Sequence, residues 1–214
     1  MASTMKYNQQ IIDIYKHFKF ILNKYPGRVM DVLNCFNQNQ YDCKTWLLDC
    51  LNQYPHHFKM KTKDSIDIAI LGGWYGLMAK LVSDNFNLKP IRNIYSYDFD
   101  HYAIKFGRMF FPNINFVEED VKDLKISDKS FSIVINTSCE HMEQHIIDQL
   151  IAGSPENTMF VLQSNDYTEV QQHVNCVPDL NTFVKQYDEQ LKNTIAYEKD
   201  LGKYTRFMIL GVKK

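Results

Sequence analysis

From Ser65 onward the chain alternates short, almost continuous apolar runs with longer amphipathic stretches, and that texture narrows the fold more than any other feature. Residues 66–72 (IDIAILG) read as a strand buried on both faces, and residues 77–86 (LMAKLVSDNF) as the helix after it. The unit recurs as a strand at 93–98 with a helix at 101–111, strands at 114–120 and 130–137, a helix at 140–153 and a strand at 158–165. Strands that are apolar along their whole length and separated by helices belong in a parallel sheet covered on both sides. The ending departs from this rhythm. After a helix expected at 179–192, residues 193–201 and 203–214 are strand-like and meet at a turn containing Gly202, which predicts an antiparallel hairpin.

Residues 8–58 read as helices. Ile11, Ile12, Ile14, Tyr15, Phe18, Ile21 and Leu22 recur at three-to-four spacing until Pro26-Gly27 stops the run. Val29, Val32, Leu33 and Phe36 suggest a short second helix; Trp46, Leu47, Leu48, Cys50 and Leu51 suggest a third that ends before Pro55. Such helices either pack on the sheet as core or cover a substrate pocket. The chain therefore divides into a helical extension at 1–64 and a main domain at 65–214.

Composition sets the outer limits. At 214 residues and 45% hydrophobic, the chain fills one core. A net charge of −1, with both signs interspersed, gives no sign of a phosphate backbone as partner. The five cysteines contain no C-x-x-C pair, so neither a disulfide framework nor a zinc site is signalled. With no secretory h-region and no 18-residue apolar stretch, a soluble cytoplasmic protein with no membrane partner is expected.

Four segments, in order, follow the expected strands. Leu71-Gly72-Gly73-Trp74-Tyr75-Gly76 comes first; glycines there let the backbone approach a ligand facing the N-terminus of the next helix. Tyr97-Asp98-Phe99-Asp100 follows the second strand. One carboxylate, Asp98, suits two vicinal hydroxyl donors, and Asp100 suits the cap of the helix near His101. The third is Phe116-Val117-Glu118-Glu119-Asp120-Val121, and the fourth runs from Phe131 through Asn136, Cys139, Glu140 and His141 to Met142.

Together these segments resemble the class I S-adenosylmethionine-dependent methyltransferases over residues 65–214. The resemblance implies a Rossmann-like α/β fold: a mostly parallel seven-stranded sheet with a C-terminal antiparallel hairpin, here with an N-terminal helical extension. It also implies S-adenosyl-L-methionine as cofactor and S-adenosyl-L-homocysteine as product. The cofactor-binding residues it implies are Gly72, Gly73, Trp74 and Gly76 in the loop, Asp98 at the ribose with Phe99 beside it, Asp120 and Val121 at the adenine, and Asn136 at the end of strand four. The loop departs from the family signature, with Trp74 at the middle glycine and Ile70 where an acid is usual; Asp67 lies earlier in the strand. Trp74 or Tyr75 is expected to cover the methionine end or face the substrate, the alternative being a core position beneath the N-terminal helices.

Methyl transfer needs a nucleophile in line with the sulfonium and often a base. Glu140, His141 and His145 follow strand four; Ser164, Asn165, Asp166 and Tyr167 follow strand five. Glu140, His141 and Tyr167 are the candidates for catalysis, histidine being suited to proton transfer near pH 7. His173 and Asn175 on the next loop are second choices. A metal site from His141, His145 and His173 has no recognised ligand spacing, and none is expected. Asn136-Thr137-Ser138-Cys139 lacks the prolines of base-methylating enzymes, and Cys139, without a preceding proline, reads as a small buried residue. A small molecule or protein side chain is thus favoured over nucleic acid as substrate. The competing reading is a methyltransferase-like scaffold without turnover; a nicotinamide-dependent enzyme would need the G-x-G-x-x-G that L-G-G-W-Y-G does not supply.

Overall fold

The computed structural model describes residues 2–54 and 65–214, with backbone alone for residues 2–11. Seven strands form one sheet: β1 (Ile66–Leu71), β2 (Ile91–Asp98), β3 (Asn115–Glu118), β4 (Ile133–Asn136), β5 (Met159–Asn165), β6 (Leu191–Asp200) and β7 (Thr205–Lys213). Their spatial order is β3-β2-β1-β4-β5-β7-β6. The first five run parallel, and β7 pairs antiparallel with both β5 and β6. Strand order reverses between β1 and β4, the switch point at whose carboxyl ends open α/β sheets bind ligands.

Every residue of β1, β4 and β5 is buried because helices cover both faces. Side chains alternate between two core layers, as the period of two requires. Ile66, Ile68, Ile70, Ile133, Ile135 and Val161 face one layer, with α4 (Leu77–Asn85) and α5 (His101–Phe110) packed on them. Ala69, Leu71, Val134, Phe160 and Leu162 face the other, beneath α6 (Gln144–Gly153) and α7 (Leu180–Lys185).

The N-terminal helices belong to the first layer. They are α1 (Ala2–Lys24), α2 (Val29–Cys35) and α3 (Gln38–Asn52), and they contribute Ile21, Val32, Leu47 and Leu51 to the same core as β1. Polar ties pin them at two places. Arg28 pairs with Asp100 at 2.6 Å at the start of α5. At the β6–β7 hairpin, Asn39 donates to the Tyr204 hydroxyl at 2.8 Å. The expected stop at Pro55 and the division at residue 64 lie outside the described residues, as does the Ile11 side chain.

Several expected elements are redrawn. Strands three and four are shorter than 114–120 and 130–137. The helix expected at 140–153 is a 3-10 turn at Cys139–His141, then an extended Met142, then α6. The Glu140 carbonyl, which a continuous helix would use at Gln144, instead accepts from Val174 N at 2.8 Å and Asn175 N at 3.0 Å. The helix expected at 179–192 stops at Lys185, and Leu191 already pairs with Lys213 in the hairpin. Gly202 does sit in the hairpin turn, at φ 79°.

Gly107 on α5 lies over β3, where an added Cβ would stand 2.3 Å from Phe116 Cε1. Alanine in a helix usually gains about 0.5–1 kcal/mol over glycine, whereas overpacking a filled core costs about 1–3 kcal/mol. Gly107→Ala should therefore lower stability in urea unfolding, and a stabilised variant would show that Phe116 yields freely.

Candidate functional site

At the end of β1 the glycine loop has one tryptophan but a consistent backbone. Gly72, Trp74 and Gly76 have φ of 59°, 50° and 93°, so every second residue is left-handed. A non-glycine residue there costs of order 1–3 kcal/mol and persists only when its surroundings hold it. Here the Trp74 N–H donates to Asp98 Oδ2 at 2.8 Å, and the Gly73 N–H donates to the Tyr97 carbonyl at 2.9 Å. Gly73 admits no side chain, since a Cβ would stand 2.0 Å from Ser96 Oγ.

Asp98 ends β2 and is 8% exposed. Its second oxygen accepts from Asp100 N at 2.9 Å. Burial pushes its pKa above the usual carboxylate value, and the backbone N–H bonds pull it back in part. Those two bonds use about half of the roughly four lone-pair sites of a carboxylate. Phe99, the next residue, is 76% exposed, an aromatic face turned to solvent beside the acid. Asp100 caps α5 as expected, accepting from Tyr102 N and Ala103 N.

Asp120 caps a 3-10 turn, Val121–Asp123, and pairs with Lys122 at 2.8 Å; hydrogen bonding from Lys122 holds its pKa below the usual value. Val121 is buried. Asn136 ends β4; its Oδ1 accepts from Ser138 N at 2.9 Å, and its Nδ2 contacts Met142 Sδ at 3.1 Å. Met142 Cε in turn lies 3.3 Å from where a Cβ on Gly72 would stand, so the turn after β4 abuts the glycine loop. Asp67 is at the opposite end of β1, held by Arg92 Nε at 2.9 Å, and takes no part. Tyr75 is a correction: it is fully buried and stacked on Phe106, so it cannot face a ligand. Trp74 is half-buried against the first core layer.

A second polar group lies beyond β4 and β5. Glu140, 4% exposed, accepts at Oε1 from Arg206 Nη1 at 2.6 Å and Asn165 Nδ2 at 2.8 Å. Arg206 also donates to the Thr137 carbonyl. Lys44 of α3, buried and hydrogen-bonded to Gln40, senses both Arg206 and Glu140; desolvation pushes its pKa down to about 8. His141 and His173 meet edge to face, with ring centroids 4.6 Å apart. Desolvation lowers the His141 pKa, although the residue keeps an exposed face. Tyr167 stacks on Tyr204 at 5.8 Å, and Lys203 Nζ lies over the Tyr167 ring, 4.5 Å from its centroid. His145 stands apart on α6 beside Glu143, and the Asn175 side chain turns inward to Gln144. Cys139 is a small buried residue, as expected.

No family model matches the sequence, and no curated protein does. Solved structures match the fold. The plantazolicin methyltransferase BpumL in complex with SAH superposes with a TM-score of 0.66 at 12% identity, covering 99% of this chain and 100% of its own. The N-methyltransferase NodS from Bradyrhizobium japonicum gives 0.60 at 12% identity, over 84% of this chain and 98% of its own. A TehB-like SAM-dependent methyltransferase from Corynebacterium glutamicum gives 0.57 at 14% identity, over 90% and 97%.

The chain has the class I methyltransferase fold. On that fold the glycine loop, Asp98, Phe99 and Asp120 all lie along the carboxyl edge of the sheet, and the structure brings Glu140, His141, Tyr167 and His173 together beside them. Two members of the polar group, Arg206 and Lys44, escaped the sequence reading. Lys44 left a signal: with Leu47, Leu48 and Leu51 it occupies the apolar stripe of α3. Arg206 left a fainter one, a charge leading an otherwise apolar strand.

Two substitutions examine this geometry. Truncating a core aromatic costs about 3–5 kcal/mol; a half-buried indole should lose less, and glycine removes left-handed strain worth about 1 kcal/mol. Trp74→Gly should therefore melt close to the parent, and a full core-sized loss would place the indole in the core. Lys44 keeps its proton to pH 10.5 when unfolded but only to about 8 when folded. Between those values the unfolded chain binds more protons, so stability rises with pH, and below them the buried charge is a standing cost. Lys44→Met should raise stability at pH 7 by about 1–3 kcal/mol, a gain that shrinks as denaturation is repeated toward pH 10.

Proposed function

We propose that the protein is an S-adenosylmethionine-dependent methyltransferase acting on a small molecule or a protein side chain. The observation that carries this reading is the pairing of the left-handed glycine loop with Asp98 beside an exposed Phe99. The residues fit such a cofactor. Asp98 retains acceptor capacity for two ribose hydroxyls, Phe99 offers an apolar face for a base, and Val121 opens the turn that Asp120 caps. Gly72, Gly73, Trp74 and Gly76 line the methionine end, with Asn136 holding Met142 against Gly72.

Bound S-adenosylmethionine supplies an electrophilic methyl group on a sulfonium. The chain's own residues then position the acceptor and manage its proton. His141, its pKa lowered by burial, is neutral at pH 7 and has a lone pair for the proton an acceptor releases. Glu140 acts through Arg206 and Asn165 to fix the turn that carries His141, and Tyr167 walls the same side. α1, α2 and α3 form the cover, and Lys44 of α3 lies within electrostatic reach of Glu140. BpumL has been crystallised with pentazolic and triazolic analogs of desmethylPZN, which agrees with a small-molecule or peptide substrate for this chain. The near-neutral charge favours the same class over nucleic acid, and no helix among the described residues is long and apolar enough to cross a membrane.

Trp74 in the glycine loop favours one other reading, a binding protein without turnover. Calorimetry with S-adenosylhomocysteine and NAD separates the possibilities, because a degenerate scaffold should show no preference for the former. The wild type should bind S-adenosylhomocysteine, and Asp98→Asn should weaken binding by about 1.5–3 kcal/mol, the range for hydrogen bonds to a charged group. A wild type that ignores this ligand would sink the enzyme reading.

A further inference from the structure

The geometry points to a binding site for a divalent transition-metal cation formed by Glu140, His141 and His173. One ligand atom from each lies within 4.8 Å of the others. The sequence hides this set, because Glu140 and His141 share a turn while His173 arrives from the loop after β5. The two segments are locked together by the Val174 and Asn175 amides, both donating to the Glu140 carbonyl.

The second observation is an orphaned oxygen. Glu140 Oε1 is occupied by Arg206 and Asn165, but Oε2 is buried and has no hydrogen-bond partner. A buried carboxylate oxygen left unsatisfied is costly and calls for a ligand. Both imidazoles are held through Nδ1. His141 Nδ1 faces the Gln172 carbonyl at 3.2 Å, and His173 Nδ1 faces the Tyr167 carbonyl at 2.5 Å. A carbonyl only accepts, so each Nδ1 carries the hydrogen and each Nε2 keeps a lone pair. Rings fixed through one nitrogen by a backbone carbonyl, with the other left free, are the arrangement metal-ligating histidines adopt.

Two imidazoles and one carboxylate suit Zn²⁺, Mn²⁺, Fe²⁺ or Co²⁺ rather than Ca²⁺ or Mg²⁺, and three protein ligands leave a coordination position open. Met142, next to His141, lies against the glycine loop, so the three ligands and the loop are neighbours. The site therefore takes substrates with an oxygen or nitrogen donor able to ligate a cation, a substrate class that rests on the methyltransferase reading. With the cation bound, His141 serves as ligand, and the metal in its place makes the donor's proton easier to lose to solvent.

The metal site itself is tested without cofactor or substrate. Tag-free full-length protein, stripped with a chelator, is titrated with Co²⁺ and followed by its visible d–d absorption, and Zn²⁺ is titrated by calorimetry. One equivalent should bind. His173→Ala should weaken binding by about tenfold or more, and the His141→Ala/His173→Ala pair should remove it, while His145→Ala should leave it unchanged. Both substituted rings keep solvent contact, and metal-free melting curves confirm the fold. The absence of stoichiometric binding, or equal Co²⁺ affinity in the double variant, overturns the proposal. S-adenosylhomocysteine binding on the same samples reports separately on the methyltransferase reading.

Discussion

Glu140 and Arg206 form a salt bridge almost without solvent, and the carboxyl end of the sheet is organised around it. Removing two such charges from water costs several kcal/mol per ion, so the pair survives only where geometry and additional hydrogen bonds compensate. Asn165 at the end of β5 and the Thr137 carbonyl after β4 supply those bonds. Three strands are thereby tied at one point, because β7 inserts antiparallel and brings its first residues to the ends of β4 and β5. The same arrangement explains the interrupted helix. Glu140 is drawn inward, its carbonyl goes to the loop carrying His173, and α6 can begin only at Gln144.

At the other half of that end of the sheet, backbone conformation matters more than residue identity. The loop needs a left-handed residue at alternate positions, and Trp74 adopts one because its amide is held by Asp98 and its indole by the first core layer. Asp98 thus braces the loop with one oxygen and the start of α5 with the other. Its partial desolvation and its backbone donors act in opposite directions on its charge, which leaves a carboxylate that is buried yet still supported as an anion.

The N-terminal helices are continuous with the core through Leu47 and Leu51, so they are part of the domain's packing. Lys44 is the point where packing and polarity conflict. A buried lysine on an apolar stripe is a cost to the fold, offset in part by its hydrogen bond to Gln40 and by the field of Glu140.

The sequence by itself determined the alternation of strand and helix, the C-terminal hairpin, the cap at Asp100 and the placement of Asp98, Asp120 and Glu140 at strand ends. These depend on local periodicity and on turn and capping chemistry, which neighbouring residues settle among themselves. Tertiary structure alone decided that Tyr75 is fully buried while Trp74 is half-buried against the first layer, that the helix after β4 breaks, and that His173 rather than His145 meets His141. It also decided that Arg206 and Lys44 join Glu140 across 66 and 96 residues of chain. Such contacts arise from which strands become neighbours in the sheet, and a charge buried beside a distant partner leaves only a faint mark in the sequence around it.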